Sequence, residues 1–109
     1  MIIAIPAHAE GWNAEVDERF GRARGFALVD SESGAWRFVD NGTADAEHGA
    51  GTGAVRSLLQ LGVAVLLAGR VGPKAAEALE AAGITCLTLE GQGSVAEAWN
   101  WYKQQRTTP

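Results

Sequence analysis

The chain has little of what a stapled, metal-wrapped or membrane-spanning protein requires. A single cysteine, Cys86, excludes an intramolecular disulfide and any cysteine-rich metal motif, and iron-sulfur clusters held by protein thiolates normally use several. Basic residues are outnumbered, 9 Lys and Arg against 13 Asp and Glu, and a net charge of -4 argues against a general nucleic-acid binder. The longest apolar stretch, Leu61 to Ala68, falls far short of the roughly 20 residues that a membrane helix needs. Met1 to Pro6 shows neither a basic n-region nor a signal-length apolar core, so a cytoplasmic protein is expected. No complete set of catalytic residues stands out.

What is present is the composition of a folded domain. Hydrophobic residues make up 47% and charged residues 20% of 109, enough for one domain spanning residues 1 to 109 with an ordered core over about 2 to 103. Ile2 to Ile5, stopped by Pro6, reads as a buried strand. A long loop follows from Ala7 to about Arg24, with Trp12, Val16 and Phe20 as anchors. Phe26 to Asp30 and Trp36 to Asp40 flank Ser31-Glu32-Ser33-Gly34 and predict a hairpin, followed by a turn at Asn41-Gly42.

The second half alternates strands and helices. Ala54, Val55, Leu58, Leu59 and Leu61 recur at helical spacing before a stop at Gly62, and Val63 to Ala68 is the next strand. Pro73 opens a helix on Ala75, Ala76, Leu79 and Ala82 that Gly83 ends. Ile84 to Leu89 is the fifth strand, within which Cys86 reads as a small buried hydrophobe. Ser94 and Glu97 have capping-box spacing ahead of a last helix on Val95, Ala98, Trp99 and Tyr102; Trp101 falls off that stripe, and the tail from Gln104 is expected to fray. The order βββαβαβα predicts an α/β sandwich with a mixed five-stranded sheet, in which strands one, three, four and five open their carboxyl-end loops on one edge.

That edge carries the chemistry. Gly49-Ala50-Gly51-Thr52-Gly53 and Gly69-Arg70-Val71-Gly72-Pro73-Lys74 each put bare backbone N–H groups at a helix start. Arg19, Arg22, Arg24, Arg70 and Lys74, five of the 9 basic residues, fall on the same loops with His8 and His48. Peptide dipoles and side-chain charges then point the same way, which favours an anionic ligand; the alternative is a solvated rim around glycines that merely permit close packing. His48 reads as a metal ligand or as an ordinary loop histidine, with His8 as a second contact.

Other chemistries fit poorly. The second glycine motif lacks the full Walker spacing, and the first follows a loop, so neither predicts nucleotide hydrolysis. A two-metal nuclease wants an acid where strand one has Ile3, Ala4 and Ile5. A triad drawn from Ser57 or Ser94 with His48 has no spacing to support it, and Ser94 is better explained as a cap.

Ile2 to Pro6, Val16-Asp17, Phe20-Gly21-Arg22-Ala23, His48-Gly49-Ala50-Gly51, Gly69 to Ala75 and Ala82-Gly83-Ile84 together resemble the nitrogenase iron-molybdenum cofactor biosynthesis family of small cofactor carriers and orange-protein-like proteins. The resemblance spans about residues 2 to 102. It implies a ribonuclease H-like fold without nuclease chemistry and noncovalent binding of an anionic metal-sulfur cluster, an iron-molybdenum cofactor precursor or another molybdenum-containing cluster. The family pattern has His-Phe-Gly where this chain has Arg19-Phe20-Gly21, and that histidine is the residue expected to touch the metal. Here the pattern leaves Arg19 to pair electrostatically with a sulfide-rich anion and His48 to supply coordination.

The candidate binding set is therefore Arg19, Phe20, Gly21, Arg22, Gly49, Gly51, Thr52, Arg70, Gly72 and Lys74, with His48 as the metal ligand. The function expected is non-enzymatic carriage or insertion of a cluster by a monomer or weak homodimer that meets a donor or acceptor protein, with no nucleic acid or membrane partner. The runner-up is an interaction module that takes a protein partner or a phosphorylated metabolite at the same edge.

Overall fold

A computed structural model describes residues 1–42, 49–91 and 93–107. Strands β1 (Ile2–Ala7), β2 (Gly25–Asp30), β3 (Trp36–Asp40), β4 (Val63–Ala68) and β5 (Thr85–Thr88) form one sheet in the order β3-β2-β1-β4-β5, with helices α1 (Ala50–Gln60), α2 (Pro73–Ala82) and α3 (Val95–Thr107). β1 runs antiparallel to β2 and parallel to β4, β2 is antiparallel to β3, and β4 is parallel to β5. The α/β class, element order and mixed sheet are those expected, and β1, β3, β4 and β5 release their carboxyl ends at one edge.

Period-two alternation divides the core. Ala4, Phe26, Leu28, Leu66 and Ala68 face Ala54, Val55 and Leu58 of α1 and Ala75 and Leu79 of α2. Ile3, Ile5, Ala27, Val29, Val65 and Leu67 face Val95, Ala98, Trp99 and Tyr102 of α3. Each large aliphatic or aromatic side chain buried this way contributes about 2 kcal/mol of transfer free energy. Among the described helices none is long and apolar enough to cross a membrane.

Several local expectations change. β1 runs through Pro6 to Ala7 rather than stopping before it. The Pro6 carbonyl accepts from the Asp17 N–H at 2.9 Å, on the side away from β2. A strand residue's N–H and C=O point the same way, so the missing N–H removes no bond to β2. The segment after β1 is strapped down: Trp12 packs on Trp36 with ring centroids 5.1 Å apart, and the amides of Val95 and Ala96 donate to the carbonyls of Ala14 and Trp12 at 2.9 Å. Cys86 is exposed, not buried, because β5 is an edge strand. Desolvation still holds its thiol pKa above the ordinary value. Trp101 is half-buried against the α3-side core. The last helix continues past Gln104 to Thr107, since Lys103, Gln104 and Gln105 are good helix formers and no glycine or proline interrupts them.

Candidate functional site

Two close backbone approaches build the site. A 3₁₀ turn, Phe20–Arg22, follows the strapped segment and enters β2. A Cβ placed on Gly21 would lie 2.7 Å from the Gly51 nitrogen and 2.8 Å from its Cα, so the turn and the first turn of α1 touch backbone to backbone. A Cβ on Gly51 would in turn lie 3.0 Å from the Ala75 Cβ in the first turn of α2. Glycine at 21 and 51 therefore draws three chain segments together at the carboxyl edge of the sheet. The ring of Phe20 anchors the turn from below, 5.7 Å from the ring of Phe26.

The two helix starts brought side by side share an unusual feature. α1 begins after Gly49, which is left-handed with φ 73°, and α2 after Gly72, and neither has a side-chain cap. Gly53 N–H reaches the Gly49 carbonyl at 2.8 Å and Ala76 N–H the Gly72 carbonyl at 2.9 Å. The amides of Gly51, Thr52, Lys74 and Ala75 precede these bonds, in the turn where a helix offers no carbonyl of its own. Thr52 Oγ1 is already spent, donating to the Gly49 carbonyl at 3.1 Å. Neither first turn contains an acidic residue, so nothing on the helix competes for its positive end.

All ten residues of the candidate binding set line one cavity of about 700 Å³, together with Ala50, Pro73 and Ala75. Arg19 and Arg70 come together through a parallel backbone bridge. Among the described residues Arg70 and Lys74 make no ion pair. Among the described residues, a second cavity of about 680 Å³ on the same edge is lined by Glu15, Glu18 and Glu97 and only one cation, Arg70. Its described lining is thus acidic where that of the first cavity is basic.

Two predicted contributors, Arg24 and His8, do not line the cavity. Arg24 pairs with Asp40 at 3.5 Å on the open surface, and it does not line the cavity. His8 lies against Asp17, Nδ1 to Oδ2 at 3.3 Å, because the strapped segment folds back over the end of β1. His48 falls outside the described residues. Among the described residues no three His, Cys, Asp or Glu side chains gather as a metal-binding group.

Two supporting residues escaped the sequence reading. Asn41, read as a turn residue, is buried, and its Nδ2 donates to the carbonyls of Gly21 at 3.1 Å and Ala23 at 3.0 Å, which fixes the 3₁₀ turn from behind. Asp17 is also buried, and its Oδ1 accepts from the Arg19 N–H at 2.9 Å. The only signal for Asn41 was its place directly after β3; nothing in composition or periodicity marks a buried amide.

Comparison with known proteins agrees with the fold. No curated protein matches the chain. Among solved structures it is similar to the apo form of the orange protein from Desulfovibrio gigas, with 44% identity over 96% of this chain and 88% of that one and a TM-score of 0.90. It is also similar to a NifB-like protein of the DUF35 family from Thermotoga, with 41% identity over 96% and 89% of the two chains and a TM-score of 0.83. The sequence model described as dinitrogenase iron-molybdenum cofactor matches residues 1–105, and the chain therefore belongs to that family.

Proposed function

We propose that this protein binds an anionic metal-sulfur cluster noncovalently and carries or inserts it, without catalysing a reaction. The observation that carries the reading is the convergence of two uncapped helix starts with Arg19, Arg22, Arg70 and Lys74 on one cavity that, among the described residues, is lined by no carboxylate. A sulfide-rich cluster is large, multiply charged and weakly hydrated, which suits guanidinium groups and a shell of amides better than a single point ligand. Membership in the iron-molybdenum cofactor family supports a molybdenum-containing cluster or cofactor precursor as the cargo, and the similar orange protein is described in an apo form. In this reading the partners are a cluster donor or acceptor protein in the cytoplasm, and the chain acts as a monomer or weak homodimer.

The test is uptake of tetrathiomolybdate by protein purified without oxygen, followed by desalting, visible absorption and metal analysis. Retention of molybdenum is expected, and replacing Arg70 and Lys74 together by alanine is expected to weaken binding on the order of 100-fold, about tenfold for each charge-assisted contact. Inorganic phosphate at millimolar concentration is expected not to displace the thiometallate. A colourless, molybdenum-free protein that binds phosphate tightly instead would overturn the cluster reading in favour of a phosphorylated metabolite.

A further inference from the structure

Asp17 is the one charged residue in the buried class among the described residues, its side chain 3% exposed, and it does not line the cavity. A buried carboxylate is costly unless paired, and behind an anion receptor it also repels the ligand through a poorly screening interior. Its contacts show what offsets that cost. Oδ1 accepts from the Arg19 backbone N–H at 2.9 Å and lies 3.5 Å from Arg19 Nε, while Oδ2 lies 3.3 Å from His8 Nδ1. The Asp17 amide is itself tied to the Pro6 carbonyl at 2.9 Å, so the carboxylate is fixed to the end of β1. Arg19, by contrast, has a side chain 65% exposed, and a free arginine loses much rotamer entropy when it closes on a ligand.

We infer that Asp17 is a positioning residue: its carboxylate holds the Nε edge of Arg19, so that the guanidinium waits at the cavity wall with its two terminal nitrogens left to donate to the anion. This rests on the anion-receptor reading of the cavity. It makes a prediction of sign. If Asp17 acted only as a nearby negative charge, Asp17→Asn would tighten anion binding. If it acts through Arg19, the same change weakens binding although it removes repulsion, because asparagine keeps one acceptor for the Arg19 amide and loses the ion pair with Arg19 together with the carboxylate contact to His8.

The experiment is a double-mutant cycle with Asp17→Asn and Arg19→Ala, titrated with tetrathiomolybdate under anaerobic conditions. Asp17→Asn is expected to weaken binding about fivefold in the parent and not at all in the Arg19→Ala background. Tighter binding in the parent, or the same loss in both backgrounds, would overturn the inference. A ligand-free readout stands beside it: the Arg19 Nε–H resonance is expected to be resolved and slowly exchanging in the parent protein. An Nε–H in fast exchange there contradicts the pairing whether or not the variants fold. Failure of the parent protein to take up thiomolybdate would overturn the receptor reading alone, and the Nε–H signal would still decide whether Asp17 holds Arg19.

Discussion

The start of α3 and the starts of α1 and α2 solve the same problem in opposite ways. At α3 the Glu97 N–H donates to Ser94 Oγ and the Ser94 N–H to Glu97 Oε1, both at 3.1 Å, and the next two amides are taken by the strapped loop. That helix end is closed, with an acid already seated in its first turn. At α1 and α2 glycine replaces the cap, no acid enters the first turn, and both helix starts line a cavity together with Arg19, Arg22, Arg70 and Lys74. One protein thus shows that it can cap a helix fully. The difference sets α3 apart as a closed, structural end and is what the proposed anion receptor at the α1–α2 pair rests on.

The largest way to break this contrast is to separate the two open ends. Gly21→Ala forces a Cβ against the backbone of Gly51, and a loss of about 3 kcal/mol in stability is expected from overpacking that only backbone movement can relieve. Thermal unfolding measures it, and thiomolybdate affinity should fall with it.

Closing one open end is a sharper test. Gly72 has extended backbone, φ -68° and ψ 163°, and an added Cβ meets nothing within 4 Å. Gly72→Asp should therefore cap α2 and leave stability unchanged or raised by a few tenths of a kcal/mol, while its carboxylate weakens anion binding by about tenfold. Opposite signs in calorimetry and ligand titration are the signature. The converse is Ser94→Ala, which opens α3: about 1 kcal/mol of stability should be lost with anion affinity unchanged.

Much of this was legible beforehand, for a physical reason. Gly72 stood where apolar periodicity switches from strand to helix and Gly51 where a polar loop gives way to a helical stripe, so their place at helix starts followed from local pattern alone. The meeting of Arg19 with Arg70 followed from strand order, because loops after parallel strands share an edge. What periodicity does not report is which positions a neighbour covers. Cys86 alternates like a buried strand residue, yet its strand is the outermost one. Pro6 marks a strand end only where its missing N–H would be needed, and here it is not. His8 and Arg24 lie at the right edge but pair with Asp17 and Asp40, contacts set by backbone folding that no spacing rule encodes.

The smallest expected effect lies away from both helix ends. The amides of Glu32 and Ser33 donate to Asp30 Oδ1 at 2.8 and 3.2 Å and hold its carboxyl below the usual aspartate range. A depressed folded-state pKa contributes stability that is present above the unfolded value of about 3.9 and is lost as pH falls through the folded one. Asp30→Asn should remove that acid-range dependence, seen in unfolding profiles below about pH 4, without touching anion binding at neutral pH.

The central contrast is tested most directly by following backbone amide resonances during an anaerobic titration with tetrathiomolybdate. Saturable shifts are expected at Gly51, Thr52, Lys74 and Ala75, with Ala96 and Glu97 at the start of α3 unmoved. Shifts centred on α3, or small changes spread without saturation over the whole surface, would contradict an anion receptor built from two open helix ends.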